Sequence, residues 1–255
     1  MSLDEKIELA AKWIAESKKL VIFTGAGVST DSGLPDYRGP DGVWTRRDKG
    51  LPPLKSVPWE KVKPNQTHYL ILELLKMEKL DFLISQNVDG LHAKAGIPFE
   101  KLAELHGNQH FMKCLNCRKK FTFKEAGWDK SLWGSGYRTE SIRKGQPTCP
   151  NCDGRIISSI VNFGDPMPDD EMLESSIRSE KSDVFFVIGS SLVVSPANTF
   201  PLIAKRSGAK LIILNDGETP YDGIADLRFF DRILNVFPPI VERVKKILKK
   251  ELINS

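Results

Sequence analysis

An uninterrupted apolar run, Leu20–Phe23, leads within two residues to a pair of glycines, Gly25 and Gly27. A short run rich in β-branched and aromatic residues predicts a strand that is buried on both faces, as in a parallel sheet. The glycines predict a tight turn where a large ligand can approach the main chain. Ser29 to Ser32 carry cap-type side chains, which predict the start of a helix. A strand, a glycine turn and a helix N-terminus together predict an anion site of the kind that holds a pyrophosphate.

The turn differs from the usual dinucleotide pattern G-x-G-x-x-G, because Thr30 stands where the third glycine would be. A glycine pair after a strand is a weak signal by itself, since the packing of a strand–helix turn also favours small residues. Asp36 and Arg38 follow close behind and add charges that packing does not require. These charges favour the nucleotide-site interpretation over the packing interpretation.

The same strand-then-polar pattern recurs along the chain and alternates with helical patterns. Apolar runs end in small polar residues at three places, 24–27, 189–191 and 215–217, and a fourth run, Phe82–Ser85, continues into Gln86, Asn87 and Asp89. Alternating strands and helices predict an α/β fold, with a Rossmann-like parallel sheet and helices on both of its faces. Ligands of such sheets bind at the carboxyl ends of the strands, so we expect the polar residues to line a dinucleotide crevice.

All four cysteines of the chain lie in two CxxC pairs, Cys114 with Cys117 and Cys149 with Cys152. Two such pairs predict a closed, four-thiolate zinc site with a structural role, because no coordination position is left for water or substrate. The spacing between the pairs exceeds the roughly 15–20 residues typical of zinc ribbons, so a loop lies between them. Free or redox-active thiols are the alternative. Because the cysteines form two CxxC pairs and none is left over, we place the protein in a reducing, intracellular compartment.

Positive charge is concentrated around these cysteines. Residues 113–155 hold ten Lys or Arg and four Asp or Glu, whereas the net charge of the whole chain is only +4. A weak contact with nucleic acid or chromatin is one interpretation of this basic module, and a solvated surface is the other. The segment from Val241 onward predicts a basic amphipathic helix with a solvated lysine face. No apolar run approaches the roughly 18 residues of a membrane span, so no membrane partner is expected.

His106 is one of only four histidines and is followed by Gly107. A histidine is the natural general base near neutral pH, although a single histidine is also often structural. Asn87 and Asp89 have two interpretations as well. They are common turn residues, and they could hold a water molecule and a ribose or cationic group.

Seven motifs follow one another along nearly the whole chain in the order found in one family. They are GAGVSTDSGLPDYRG, SQNVDGLH, ELHGN, the two CxxC pairs, NFGDPMP, GSSLVVSPA and ILND. In these motifs the chain resembles the sirtuins, which are NAD-dependent protein deacylases. Its DYRGPDGVW, SQNVDGLHAKAG and KLAELHGN segments look most like the nuclear, chromatin-associated branch and its microbial relatives.

The resemblance implies two domains. Residues 1–39, 65–110 and 156–255 would form the Rossmann-like NAD-binding domain, and residues 40–64 and 111–155 a small domain that holds the zinc ribbon and a lid over the cofactor.

The resemblance also implies site residues. His106 would be the general base, with Asn87 and Asp89 as further catalytic residues. The acylated peptide would bind along Val161, Asn162, Phe163, Gly164, Leu192, Val193 and Val194. Zinc would be held by Cys114, Cys117, Cys149 and Cys152. NAD would contact Gly25, Ala26, Gly27, Ser29, Thr30, Asp36, Tyr37, Arg38, Trp44, Gln86, Asn87, Asp89, His106, Gly189, Ser190, Ser191, Asn215, Asp216, Gly217 and Ile233.

The reaction that the resemblance implies is transfer of an acyl group from a protein lysine to ADP-ribose, with nicotinamide and O-acyl-ADP-ribose as products. Protein mono-ADP-ribosyl transfer would use the same NAD site with a different acceptor. An interaction module that keeps NAD only as a ligand is a third, non-enzymatic hypothesis. We expect an intracellular protein, cytoplasmic in a prokaryote and nuclear or cytoplasmic in a eukaryote.

Overall fold

A computed structural model of the chain describes residues 1–54 and 57–254. Nine strands form in chain order: β1 Leu20–Thr24, β2 Leu80–Ser85, β3 Leu102–Glu104, β4 Phe111–Cys114, β5 Lys120–Thr122, β6 Ile156–Ser158, β7 Val184–Ile188, β8 Lys210–Leu214 and β9 Leu227–Phe229. Six of them make one parallel sheet in the order β3-β2-β1-β7-β8-β9. The chain therefore runs outward from β1 first to one side and later to the other, which creates a crevice between β1 and β7 at their carboxyl ends. The predicted Rossmann-like sheet is confirmed.

The helices are α1 Leu3–Glu16, α2 Val43–Asp48, α3 Gln66–Lys76, α4 Leu91–Ala95, α5 Lys130–Trp133, α6 Asp169–Lys181, α7 Phe200–Arg206 and α8 Ile233–Asn254. Short 3-10 turns occupy Ala26–Ser32, Trp59–Lys61, Phe99–Lys101, Ala197–Thr199 and Asp222–Ile224. None of the helices in the described part of the chain is both long and apolar enough to cross a membrane.

The large sheet is covered on both faces because successive side chains of a strand point to opposite sides. On β1, Leu20 and Ile22 face a core built with α1, α3 and α8. Val21 and Phe23 face a second core, which includes residues of α6 and α7. All four side chains are fully buried, so the continuous apolar run reflects a strand with helices on either side.

Three strands form a separate antiparallel sheet in the order β5-β4-β6. This sheet and the cysteines belong to residues 111–158, which we call the cysteine module. The sequence-based division starts the large domain at residue 156, whereas β6 (Ile156–Ser158) pairs with β4 in the small sheet. Alternation along the sequence cannot show which sheet a three-residue strand will join, so the boundary differs by those residues.

Both ends of the cysteine module meet at one pair of residues. Ser159 Oγ donates to the carbonyl of Asn108 at 2.6 Å and accepts from the Asn108 N–H at 3.0 Å. The Ser159 N–H also donates to the carbonyl of Phe111 at 3.0 Å. The chain thus enters and leaves the cysteine module at the Asn108–Ser159 pair.

One local prediction was wrong. Ser29 to Ser32 do not cap a following helix, because they lie inside a 3-10 helix that spans Ala26–Ser32. Its N-cap is Gly25, which offers no side-chain hydrogen bond. The hydroxyls of this segment instead form tertiary and local bonds, which the next section describes.

Candidate functional site

The loops after β1, β2 and β7 converge at the crevice of the large sheet. The Gly25 N–H donates to the carbonyl of Ile188 at 3.2 Å, and the Gly27 N–H donates to the carbonyl of Gly189 at 2.9 Å. On the other side of β1, the Gln86 N–H donates to the carbonyl of Thr24 at 3.0 Å. Main-chain bonds therefore hold three of the predicted polar strand ends against one another.

The glycines at this junction are required by contact between the loops. A Cβ on Gly25 would lie 2.7 Å from the carbonyl oxygen of Gly189, and one on Gly27 would lie 2.8 Å from the Gly189 Cα. Gly189 itself has a φ of +64°, and a Cβ there would lie 2.7 Å from the Val28 nitrogen. The two loops therefore pack main chain against main chain, with the Ser190 side chain as a further neighbour of Gly25, and only glycine allows this close approach.

This packing predicts the effect of a single added methyl group. We expect Gly27→Ala to raise the KM for NAD at least about tenfold, because backbone atoms at 2.8–2.9 Å cannot rotate away. Steady-state kinetics with varied NAD would measure it. Gly223→Ala is the matched control, since a Cβ at Gly223 meets nothing within 4 Å. An unchanged KM in Gly27→Ala would contradict the role of the close approach.

Three polar side chains form a buried group under the glycine turn, residues 25–27. Ser29 Oγ donates to Asp89 Oδ2 at 2.7 Å and accepts from Asn87 Nδ2 at 3.2 Å. The other carboxylate oxygen, Asp89 Oδ1, accepts from the Leu91 N–H at 2.9 Å. Burial raises the pKa of Asp89, and these hydrogen bonds partly oppose the shift. The group ties the first glycine loop to the end of β2.

His106 is held by the residue that precedes Asn87 in the chain, through one ring nitrogen. Its Nδ1 is 2.8 Å from the carbonyl of Gln86, which can only accept, so Nδ1 carries the proton and Nε2 keeps a free lone pair. Burial lowers the pKa of His106 and thereby favours the neutral imidazole. Gln86 is itself held, since Ser190 Oγ donates to Gln86 Oε1 at 2.6 Å. The arrangement provides an oriented base at the crevice.

Gly107 fixes the position of the histidine. It has a φ of +79°, and a Cβ there would lie 1.9 Å from the carbonyl oxygen of Ser159. The carbonyl of His106 accepts from the Val161 N–H at 2.9 Å. The loop that carries the base is therefore packed directly on the strand leading to the predicted peptide segment.

Aromatic rings connect the segment after the glycine turn with that peptide segment. The Tyr37 and Trp44 rings stack with centroids 6.3 Å apart, and Trp44 meets Phe163 edge-on at the same distance. The Arg47 guanidinium lies 4.5 Å above the Trp44 ring. Phe163 is 82% exposed, so this row of rings ends at an open surface.

The two predicted peptide segments differ in what they expose. Asn162 is held in a turn, because its N–H donates to Asp165 Oδ2 at 3.1 Å, and Gly164 follows with a φ of +90°. The side chain of Leu192 is buried in the second core, so this residue can offer a peptide only its main chain. Val193 is exposed.

The loop after β8 is held by a residue that the sequence motifs did not single out. Arg228, on β9, donates to the carbonyl of Asn215 at 2.8 Å and to the carbonyl of Gly217 at 2.5 Å. Its Nε donates to Asp222 Oδ1 at 2.6 Å, and its guanidinium lies 3.6 Å above the Phe230 ring. An arginine inside an apolar run was the one available signal of this role.

Other predicted NAD contacts have only local partners. Thr30 Oγ1 donates to the carbonyl of Gly27 at 3.0 Å, and Asp36 Oδ1 accepts from the Gly39 N–H at 2.9 Å. Arg38 pairs with Asp48 at 3.8 Å on the surface. Four further candidates make no side-chain contact that indicates a role: Ala26 and Ser191 are half-buried near the glycine contacts, Asp216 is exposed, and Ile233 begins α8 against the first core.

The four cysteines come together as predicted. Their sulfur atoms lie within 4.8 Å of one another, with Cys114 Sγ to Cys152 Sγ and Cys117 Sγ to Cys149 Sγ both at 3.6 Å. These separations are too long for disulfides and match the edges of a sulfur tetrahedron around zinc, given Zn–S bonds of about 2.3 Å. The N–H groups of Asn116 and Asn151 donate to two of the sulfurs. The donor set fits a structural zinc ion.

Behind the glycine turn lies a buried chain of polar contacts. Asn65 Nδ2 donates to the carbonyl of Val28 at 2.7 Å, and the Asn65 N–H donates to His68 Nδ1 at 3.2 Å. The His68 and His92 rings pack with centroids 4.8 Å apart, and His92 Nε2 is 3.0 Å from Thr24 Oγ1. These contacts brace the 3-10 helix against the end of β1.

The buried His68 should make stability depend on pH. Burial lowers the pKa of His68 from 6.5 to about 4, so the unfolded chain binds an extra proton between those values and stability falls as the pH falls through that window. The shift corresponds to roughly 2–3 kcal/mol between pH 7.5 and 4.5. His68→Asn can keep an acceptor near the position of Nδ1. Between pH 7.5 and 4.5 its free energy of unfolding should therefore fall by roughly 2–3 kcal/mol less than that of the parent protein. Denaturant titrations at both pH values measure it, and equal losses in both proteins would refute the assignment.

Comparison with known proteins adds the following. A family model described as the Sir2 family matches residues 52–196. NAD-dependent protein deacetylase 1 of Pyrobaculum aerophilum is 39% identical, over 96% of this chain and 97% of its own length. NAD-dependent protein deacylase 2 of Archaeoglobus fulgidus is 36% identical, over 96% and 98% of the two chains. A solved structure of Sir2 with a p53 peptide and NAD+ is 34% identical, covers 99% of this chain and 100% of its own, and has a TM-score of 0.67.

Proposed function

The chain belongs to the Sir2 family, and we propose that it is an NAD-dependent protein lysine deacylase that transfers the acyl group to ADP-ribose. One observation carries this proposal beyond family membership. His106 is bound through Nδ1 to the carbonyl of Gln86, next to Asn87 in the chain, and its Nε2 forms no hydrogen bond within the described residues. A hydride-transfer enzyme needs no such base at the cofactor ribose, whereas acyl transfer to a ribose hydroxyl does.

We assign binding roles along the crevice. NAD supplies an electrophilic carbon, C1′ of its nicotinamide ribose, and a hydroxyl that accepts the acyl group. The pyrophosphate would bind beside Gly25, Gly27 and Gly189, where the two loops pack main chain against main chain. Asn215 and Gly217, held by Arg228, would contact the adenosine half. Asn87 and Asp89 would orient the nicotinamide ribose, since both already project from the end of β2.

The proton step falls to His106. Its Nε2 would take a proton from the ribose hydroxyl while the Gln86 carbonyl holds Nδ1–H and stabilises the charge that forms on the ring. Tyr37 and Trp44 would lie over the reacting bond and keep water out, which prevents simple hydrolysis. The acylated peptide would pair as an added strand between Val161–Gly164 and Leu192–Val194.

The pH profile should report this base. Because burial lowers the pKa of His106 from its ordinary value of 6.5, the imidazole stays neutral to more acidic pH. We therefore expect kcat/KM for the acylated peptide to rise with pH through a midpoint below 6.5 and then level off. The profile should be measured at constant ionic strength. A midpoint at or above 7 would contradict this assignment.

Mass spectrometry of the products tests the proposed reaction. An acetyl-lysine peptide with NAD should give free lysine peptide, nicotinamide and O-acetyl-ADP-ribose in equal amounts, and the unacylated peptide should give none. ADP-ribose left on the peptide would favour the mono-ADP-ribosyltransferase alternative. NAD recovered intact would favour the interaction module. Equal yields from other acyl groups would leave the reaction class unchanged and define the acyl preference.

We further propose an intracellular location, cytoplasmic or nuclear, which the four thiols support. Contact with nucleic acid or chromatin has less support. In the cysteine module, Arg118 pairs with Asp170 at 2.8 Å and Lys120 pairs with Glu171 at 2.8 Å, so acidic residues at the start of α6 already neutralise part of the basic surface.

A further inference from the structure

The proposed base lies in a tight turn that starts at the last residue of β3, Glu104, at the edge of the large sheet. The Gly107 N–H closes this turn by donating to the carbonyl of Glu104 at 2.9 Å. The side of the turn that comes from β3 is fixed, because the Leu105 N–H donates to the carbonyl of Ser85 at 2.9 Å and the Leu105 side chain is fully buried. His106 is the next residue, so its orientation depends on how the chain is held after it.

The side chain of Glu104 crosses this turn and bonds to the residue that follows it. Glu104 Oε1 accepts from Asn108 Nδ2 at 2.6 Å, and both side chains are almost fully buried. The amide oxygen of the same side chain, Asn108 Oδ1, accepts from the His110 N–H at 2.9 Å. The two bonds between Asn108 and Ser159 hold its main chain as well. The bond from Glu104 to Asn108 therefore fixes the chain on the far side of His106.

A carboxyl group at this position costs stability. Glu104 Oε2 is buried and forms no hydrogen bond within the described residues. Lys120, the cation that faces it, lies 4.0 Å away and is itself paired with Glu171 at 2.8 Å. Apolar side chains in place of such buried charges are often neutral or stabilising. The contribution that an apolar residue could not make is the bond to Asn108.

This contribution does not depend on the charge of Glu104. Burial raises the pKa of Glu104 to about 7, although Lys120 and the hydrogen bond from Asn108 partly oppose the shift. A protonated carboxyl group keeps an oxygen that accepts a hydrogen bond. The bond to Asn108 therefore forms on both sides of that pKa, and the pH profile expected for His106 is unchanged.

We propose that Glu104 is a positioning residue for the base, because it holds Asn108 and thereby keeps the His106 ring in line with the carbonyl of Gln86. This role rests on the proposed function of His106 as the general base. Since its side chain is 3% exposed, Glu104 acts on the reaction only through the loop. The property that the role requires is an oxygen acceptor that reaches across the turn, whatever its charge.

Two conservative substitutions separate reach from charge. Glu104→Asp keeps the carboxylate but shortens the side chain by one methylene group. Because misplacement of a reacting group by about 1 Å can cost a hundredfold, we expect kcat to fall at least about tenfold. The KM values for NAD and the acetyl peptide should stay within about threefold, as for a group that acts in the transition state.

Glu104→Gln keeps the acceptor at full length and removes the charge, so it should retain kcat within about threefold of the parent. Steady-state kinetics of the zinc-loaded protein measure both variants. Glu100→Asp is the matched control and should behave like the parent, because it makes the same change at an exposed carboxylate in the turn before β3.

The state of the His106 ring is measured without substrate by long-range proton–nitrogen correlation NMR. The parent and Glu104→Gln should show one neutral tautomer, protonated at Nδ1. In Glu104→Asp the bond to Gln86 loosens, so the spectrum should show a mixture of both tautomers. Because this readout needs no turnover, the same spectral change in a protein that fails to deacylate would contradict the proposed function while still supporting the hold of Glu104 on the ring.

Three results would overturn the proposal. The first is a Glu104→Asp protein with the kcat and ring spectrum of the parent. The second is an equal loss of kcat in Glu104→Gln and Glu104→Asp, which would assign the effect to charge. The third is a Glu104→Asp protein that does not fold, or that unfolds at a lower temperature with an unchanged ring spectrum, which would show a purely structural role.

Discussion

His106→Ala lowers kcat for NAD-dependent deacylation by about a hundred- to ten-thousand-fold, which is the range that general-base catalysis contributes. The loss follows because Nε2 is the free lone pair at the crevice, while Nδ1 is bound to the Gln86 carbonyl. The fold should persist, since the main-chain bond from the Val161 N–H to the His106 carbonyl does not need the side chain. Steady-state rates with an acetyl-lysine peptide, together with the affinity for NAD by calorimetry, measure both parts.

His110→Gln is the matched histidine variant. His110 lies four residues on, and its Nε2 contacts only the Asp89 carbonyl at 3.2 Å, so we expect its kcat to change less than about tenfold. If His106→Ala turns over within threefold of the parent, another group is the base. If it loses NAD binding along with turnover, His106 supports the pocket structurally.

Cys149→Ser should remove the zinc ion and destabilise the cysteine module by several kcal/mol. The upper limit is the roughly 10–16 kcal/mol that zinc binding contributes in zinc-finger peptides. The reason lies in the size of the module's own core, whose buried residues are Met112, Cys114, Ala126, Trp128, Cys149 and Ile156. Two of these six are zinc-type ligands, and so few apolar residues cannot stabilise a unit of this size alone. Elemental analysis measures the zinc content, and thermal unfolding measures the stability, followed by tryptophan fluorescence to which Trp128 and Trp133 of the module contribute.

Ser141→Ala, an exposed change in the same module, serves as the control and should keep both metal and stability. A Cys149→Ser protein that is free of metal and yet unfolds like the parent would show that the cysteine cluster is not structural. A variant that keeps a full zinc ion would show that three thiolates are sufficient.

The central strands of the large sheet could be predicted because each is a local apolar pattern in the sequence. Leu20–Thr24 and Val184–Ile188 are short, continuous apolar runs, and each ends in small polar residues that parallel geometry brings to one edge. The three-residue strands β3 and β9 carried no such signal, because a run of three residues has too little periodicity to distinguish from a loop. The first turns of α8 were also missed, since Pro238 and Pro239 in its interior normally end a helix.

The residues of the candidate site also fall into those that the sequence predicts and those that it misses. Residues within a motif, such as Asn87, Asp89 and His106, could be predicted because their motifs resemble those of the sirtuins, although their types alone left a structural interpretation open. Arg228 and Asn65 were not found, because each acts by holding main-chain atoms that are distant in sequence. No local pattern encodes such a partner.

The paired bonds between Asn108 and Ser159 have a consequence for how this architecture can vary. They join the two ends of a 50-residue excursion, so the points where that segment begins and ends are held together by two residues that lie outside it. A longer, shorter or foreign segment grafted between these two residues would enter and leave at the same points, as long as its own ends stay close together. The attachment points are therefore independent of the length of the metal-binding segment, whereas the contacts of His110 with Asp89 and of Lys120 with Glu171 would be lost with it.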